Sequence, residues 1–291
     1  MLQGSFVALV TPFHNGEIDY NKLEGLLQFH LKNKTDGILL LGTTAEASAL
    51  ANDEKESLLR FAIRILKGIV PIMVGTGSNN LNQTLASTRK AFDLGADYAL
   101  IITPYYIKPT QQGLYEYFKA IATKVSEPIV IYNVPGRTGV NISSSTTVRL
   151  AREFKNIVGI KEASADLIQA TEIIRDSPSD FSVMSGEDAL VMPTMALGAK
   201  GCISVTANIL PAEFHNLTAL CLQGEYSKAM HLHQELLEIN RKMFIETNPI
   251  PVKEALAMMG LLELEFRLPM CPLLPANRSI LEECLKRYKL F

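Results

Sequence analysis

GILLLGTTAEASALANDEKESLLRFAIRILKG, residues 37–68, decides the fold. Its opening stretch, 37–41, is an unbroken apolar run, as expected of a strand buried on both faces rather than one with a wet side. Gly42-Thr43-Thr44 ends it. Asn52-Asp53-Glu54 then set a polar cap and first-turn acids ahead of Leu58, Leu59, Ala62, Ile63 and Leu66, a stripe at helical spacing that Gly68 stops. Outward from this unit the pattern repeats. Apolar runs recur at 6–10, 70–74, 98–102, 129–132, 158–160, 181–184 and 202–205, with helical patterns between them, such as 81–94 closed by Gly95. Eight strand–helix units roughly 20 to 32 residues apart predict an α/β fold, a closed (β/α)8 TIM barrel over residues 1–224. Beyond Gly224 the strand signal stops. Residues 225–291 predict a C-terminal α-helical appendage, with helices at 226–244, 250–259 and 279–288 punctuated by Pro249, Pro251, Pro269, Pro272 and Pro275.

Composition narrows the function classes. The chain of 291 residues carries 28 Lys+Arg against 30 Asp+Glu, a net charge of −2, which is not the basic excess of a nucleic-acid binder. A hydrophobic content of 47% excludes a disordered chain. The N-terminus has no basic region before its apolar run, which ends at Thr11-Pro12, so it reads as a first strand and not a signal peptide. No stretch is apolar for long enough to form a spanning helix, and the expectation is a soluble cytoplasmic protein. Cys202, Cys221, Cys271 and Cys284 lack paired spacing and sit among apolar residues, as reduced buried thiols do. The five histidines have no metal-ligand spacing, so no metal is indicated.

In a barrel of this kind the chemistry comes from the C-terminal ends of the strands. Lys161 directly follows a buried apolar run, which aims its amine into a partly desolvated mouth, where a neutral, nucleophilic amine can attack a carbonyl. The alternative is a rim lysine paired with Glu162 or Glu187. Tyr132, at the neighbouring strand end, offers a phenol for acid–base steps, or is a packed aromatic. Thr43 and Thr44 supply hydroxyls and consecutive N–H groups suited to a small carboxylate, or form an ordinary capping turn. Arg137 could grip a second carboxylate bidentately, or be an exposed loop arginine.

Several motifs in order and at matching spacing then carry a resemblance. GTTAEASAL (42–50), TPYY (103–106), YNVPGRTG (132–139), GIKEAS (159–164), SGEDAL (185–190), GCISVTAN (201–208) and NPIPVK (248–253) resemble the dihydrodipicolinate synthase family along nearly the whole chain. The resemblance implies a Schiff-base lyase of lysine and diaminopimelate biosynthesis. Lys161 would condense with pyruvate, and the enamine would attack L-aspartate 4-semialdehyde. Tyr132, Thr44 and Tyr106 would form a proton relay, with Tyr106 crossing to an adjacent subunit of a homotetramer (a dimer of dimers). Thr43 and Thr44 would hold the pyruvate carboxylate and Arg137 the semialdehyde carboxylate, with Gly186 and the Ile203 carbonyl lining the site. No cofactor beyond the covalent imine is implied, and no nucleic-acid or membrane partner.

Two departures stand out. Ala45 replaces a usual glycine, at a cost of about 1 kcal/mol if that position needs positive φ, and Ala47 replaces a common serine. At the positions that bind lysine in feedback-sensitive members, Asn52, Lys55 and Gln83 remove an anion and add a cation, so feedback by lysine is expected to be weak or absent. A sister lyase acting on N-acetylneuraminate or keto-deoxy sugar acids shares the imine chemistry, but Arg137 with Thr43-Thr44 suits a short acidic aldehyde better than a polyol tail. A non-catalytic barrel that binds a keto acid is the third reading.

Overall fold

The computed structural model describes residues 2–291. Eight parallel strands close into a barrel: β1 (Gly4–Ala8), β2 (Gly37–Leu40), β3 (Ile72–Gly75), β4 (Tyr98–Ile102), β5 (Ile129–Asn133), β6 (Ile157–Glu162), β7 (Ser182–Ser185) and β8 (Gly201–Ser204), with β8 pairing back onto β1. A helix follows each strand: α1 (Tyr20–Lys32), α2 (Asn52–Leu66), α3 (Leu81–Leu94), α4 (Gln111–Ala122), α5 (Ser144–Glu153), α6 (Leu167–Asp176), α7 (Val191–Ala196) and α8 (Pro211–Leu222). The (β/α)8 expectation holds, and every expected run overlaps its strand. The ends differ slightly because apolar character marks burial rather than pairing: Leu9 and Val10 stay buried after β1 has ended.

Local chemistry sets the helix ends. Helix α2 begins at Asn52 with Ala51 in the cap position, where the expected polar cap was Asn52 itself; Glu54 reaches back to accept from the Ala51 N–H at 2.8 Å. Helix α3 starts on an Asn80 side-chain cap and stops at Gly95, whose φ of 109° suits glycine. Asn15-Gly16, both at positive φ, turns a small hairpin between Phe13–His14 and Glu17–Ile18, a recognisable signal that the period-based reading passed over.

Two apolar cores result. One lies between the sheet and the helices. The other plugs the barrel with Phe6, Leu39, Met73, Leu100, Val130, Met184 and Ile203. The Phe6 ring lies so close over Gly37 that a Cβ there would come within 2.2 Å of it. This plug confines polar chemistry to the C-terminal ends of the strands. A bulge decides what enters that space: Ile129 pairs with Ile157 but Val130 pairs with Gly159, leaving Val158 as an extra residue. One extra residue reverses the in–out alternation. Ile160 consequently packs outward, while Gly159 and Lys161 face the lumen.

The C-terminal segment is helical as expected: α9 (Tyr226–Lys242), α10 (Ile250–Met258) and α11 (Pro275–Arg287). Helix α11 starts a turn earlier than 279 because Pro275 occupies its first turn, where the missing N–H costs no hydrogen bond. Helix α9 ties to the mouth through Asn240 Nδ2, which donates to the Asp188 carbonyl at 3.2 Å. Among the described residues no helix is long and apolar enough to cross a membrane.

Candidate active site

Tyr132 on β5 and Lys161 on β6 are register partners at the top of the barrel. Their side chains meet there: Lys161 Nζ lies 4.6 Å from the Tyr132 ring centroid, and the residues are only 5% and 8% exposed. No carboxylate among the described residues forms an ion pair with Lys161, so the rim-pair alternative is not what folds. Glu162 points the other way. Its carboxylate accepts from Asn133 Nδ2 (3.1 and 3.0 Å), Gln169 Nε2 (3.0 Å) and the Ser164 N–H (2.7 Å). That network clamps β5 to β6 one residue beyond the Tyr132–Lys161 pair.

Gly186 abuts the lysine stem. A Cβ at Gly186 would lie 2.7 Å from Ala163 Cβ and 3.1 Å from both Cγ and Cε of Lys161. Beyond it, burial raises the Glu187 carboxyl above its ordinary range, with the neighbouring Asp188 charge adding to the effect. Burial also raises Asp188, opposed by the Thr206 N–H and hydroxyl at 2.7 and 2.8 Å. Through those bonds and one from the Val205 N–H (3.1 Å), Asp188 holds the end of β8 just past Ile203, whose side chain belongs to the interior plug.

The turn after β2 is a short 3-10 helix, Thr43–Ala45, closed by Ala45 N–H to Gly42 O and Glu46 N–H to Thr43 O, both 3.1 Å. Thr44 is buried and Thr43 exposed. Positive φ occurs at Leu41 (54°) and Glu46 (53°), and Ala45 is not among the positive-φ residues, so the expected strain at Ala45 is displaced onto its neighbour. Ala47 opens a second short turn, Ala47–Ala49.

Asn248 was missed from sequence. Its Nδ2 donates to Thr44 Oγ1 at 3.0 Å, and its carbonyl accepts from Arg137 Nη2 at 3.2 Å, joining two expected carboxylate-binding groups. Before a proline and a helix, Asn248 reads as a helix start; nothing local points to a barrel mouth 204 residues away in sequence. Arg137 itself sits on a helical turn after β5, Pro135–Thr138.

Tyr106 is not brought to this cluster. It is 86% exposed, with φ of 73°, at the centre of a tight turn closed by Ile107 N–H to Tyr105 O at 2.9 Å. A bulky residue there is strained. Cys271 also departs from expectation: it is exposed in the irregular segment between α10 and α11, outside the elements that pack into the core, while Cys202, Cys221 and Cys284 are buried. No group of three or more His, Cys, Asp or Glu side chains among the described residues is arranged to hold a metal ion.

Comparisons with known proteins point to one family. The family model described as the dihydrodipicolinate synthetase family matches residues 1–288. A protein of Hydrogenobaculum sp. (strain Y04AAS1) named 4-hydroxy-tetrahydrodipicolinate synthase is 49% identical over 290 residues, covering 100% of both chains. The crystal structure of dihydrodipicolinate synthase from Aquifex aeolicus superposes with a TM-score of 0.97 at 46% identity, over 99% of each chain. The chloride-inhibited enzyme from Acinetobacter baumannii, solved in complex with pyruvate, gives a TM-score of 0.97 at 43% identity over 100% of each chain. With the family model, the full-length relatives and the barrel in agreement, this chain belongs to the dihydrodipicolinate synthetase family.

Proposed function

We propose that the protein is a 4-hydroxy-tetrahydrodipicolinate synthase, a lyase that condenses pyruvate with L-aspartate 4-semialdehyde on the diaminopimelate route to lysine. The single observation that carries this reading is the lumenal Lys161 amine, 5% exposed, free of a carboxylate partner among the described residues and set against the Tyr132 ring. The neutral amine adds to the pyruvate carbonyl, and the Tyr132 phenol moves the protons that turn the carbinolamine into an imine with loss of water. Loss of a methyl proton gives the enamine, whose carbon attacks the semialdehyde. The substrate's own amine then displaces Lys161 and closes the ring. No cofactor is required, because the imine itself is the electron sink.

Thr43 and Thr44 hold the pyruvate carboxylate, and Arg137 receives the semialdehyde carboxylate. Asn248 sets their relative position, and Gly186 and the Ile203 carbonyl line the pocket. Tyr106 completes the relay through Thr44 in an adjacent copy, within a homotetramer built as a dimer of dimers; its exposure on a strained turn, away from its own lumen, supports that role. The barrel spans residues 1–224 and the helical segment 225–291 backs the mouth. The work is done in the cytoplasm with no nucleic-acid or membrane partner.

Borohydride reduction in the presence of pyruvate, followed by peptide mass analysis, tests the reading. An adduct on Lys161, abolished in Lys161→Ala, is expected; its absence from the unaltered enzyme overturns the assignment. A coupled assay offering aspartate semialdehyde beside sialic acid and keto-deoxygluconate separates the substrate classes. Turnover of the sugar acids alone would favour a sister lyase.

A further inference from the structure

Lys253, on α10, is fully buried, and its Nζ donates to Glu46 Oε1 at 2.6 Å; Glu46 is buried too. The ammonium sits between two aromatic faces, 4.4 Å from the Phe13 centroid and 5.0 Å from that of Phe266. The second carboxylate oxygen, Oε2, accepts from the Arg267 N–H at 3.0 Å. Burial pulls the Lys253 amine below its ordinary range, and the Glu46 charge is the main influence opposing that pull.

A buried ion pair is a poor device for stability, since desolvation of both ions consumes the gain, but it is a good device for fixing one geometry. Glu46 is where geometry needs fixing. It is a non-glycine residue at φ of 53°, a conformation that persists only when its surroundings over-determine it. Its N–H closes the 3-10 turn onto Thr43 O, its own carbonyl accepts from the Ala49 N–H at 2.9 Å, and the preceding carbonyl, Ala45 O, is held by Thr11 Oγ1 at 2.8 Å. The Thr43-Thr44 segment is therefore suspended between Leu41, also at positive φ, and a carboxylate anchored from the C-terminal helices.

We propose that Glu46 and Lys253 are positioning residues for the keto acid: the buried pair holds the Thr43-Thr44 turn in the shape that receives the pyruvate carboxylate, so the C-terminal segment sets pyruvate affinity without touching the substrate. The proposal rests on the reading of Thr43-Thr44 as the carboxylate site. Asn248, five positions before Lys253 and bonded to Thr44, gives the segment leading into α10 a second grip on the same turn.

The test is steady-state kinetics with both substrates, alongside thermal melting of each variant. Single neutralisations strand a buried charge and can fail to fold, so the informative variant is Glu46→Gln with Lys253→Met, which removes both charges and keeps a long side chain between Phe13 and Phe266. Expected is a rise of about tenfold or more in KM for pyruvate, with the KM for aspartate semialdehyde within about threefold of the unaltered enzyme and kcat lowered as well, because the same turn carries the Thr44 hydroxyl of the relay. A folded double variant whose pyruvate KM is unchanged, or whose two KM values rise together, overturns the proposal. Glu46→Asp keeps both charges and shortens the tether by one methylene. A selective rise of at least about threefold in pyruvate KM supports the proposal, and no rise overturns it, whether or not the double variant folds. Failure of the underlying reading is distinguishable: it appears as a missing borohydride adduct in the unaltered enzyme, whereas failure of this proposal leaves that adduct in place.

Discussion

Replacing Gly186 by alanine puts one methyl group against Lys161, the proposed nucleophile. The new Cβ would stand 2.7 Å from Ala163 Cβ and 3.1 Å from Lys161 Cγ and Cε, where carbon contacts normally settle at about 3.5–4.0 Å. Neither backbone can easily yield, because Gly186 N–H bonds Glu162 O at 2.7 Å and Ala163 N–H bonds Asn133 O at 2.9 Å. The 2.7 Å contact forces one of these backbones to shift all the same, and the lysine stem, already packed against the Tyr132 ring, must give way by roughly 0.5–1 Å. A misplacement of about 1 Å costs on the order of 10²-fold in rate, or about 2.7 kcal/mol of barrier. Overpacking adds a stability loss of about 1–3 kcal/mol. Single-turnover borohydride trapping of the pyruvate imine, read beside kcat and the melting temperature, measures these effects separately. Gly136→Ala is the control, since a Cβ at Gly136 meets nothing within 4 Å; its rate should change by less than about threefold. If Gly186→Ala forms the imine as fast as the unaltered enzyme while remaining folded, the steric account of the lysine's position is wrong.

Four further outcomes follow from the same geometry. Asn248→Ala removes the donor to Thr44 and should lower kcat/KM by about 2- to 12-fold, the value of one hydrogen bond of about 0.5–1.5 kcal/mol; unaltered kinetics would mean that Thr44 needs no such support. Tyr106→Phe should lower kcat by on the order of 10², and mixing that protein with Lys161→Ala under conditions of subunit exchange should recover activity, because hybrid sites regain both groups; no recovery argues against a relay between subunits. Burial lowers the His30 imidazole to about 3, so the unfolded chain takes up a proton as pH drops below about 6.5 while the folded chain does not, and stability present above 6.5 is lost as pH falls toward 3. Between pH 6.5 and 4.5 this contributes about 2.3 kcal/mol of pH dependence, which should vanish from the urea-unfolding profile of His30→Leu; parallel profiles for the two proteins would refute it. Lysine at about 1 mM should leave the rate unchanged, because Gln83 is neutral, bonded to Ser78 Oγ, and Lys55 repels a cation; half-inhibition at sub-millimolar lysine contradicts this.

Much of the site was legible because barrel chemistry occupies strand ends and the strands announce themselves as apolar runs. Lys161, Tyr132, Thr43, Thr44 and Arg137 emerge as residues at or just beyond the ends of such runs, and Gly186 through the family resemblance. Asn248, Glu46 and Lys253 do not, because each acts across more than 200 positions of sequence and carries no local mark of that partnership. Glu162 shows the converse. Adjacent to Lys161 in sequence, it reads as that residue's ion partner, yet strand alternation sends it to the opposite face, where Asn133 and Gln169 occupy it.

The amino-acid sequence by itself determined the barrel, its strand count within the chain, the helical C-terminal segment and the identity of the lumenal candidates, since these depend on local composition, spacing and periodicity. Only the tertiary structure decided which way those candidates face and what holds them. The bulge at Val158 turns Lys161 inward, and the Lys253–Glu46 pair ties the turn after β2 to the C-terminal helices. Both depend on register and on contacts between distant segments, which come into being only when the sheet closes and the core excludes water.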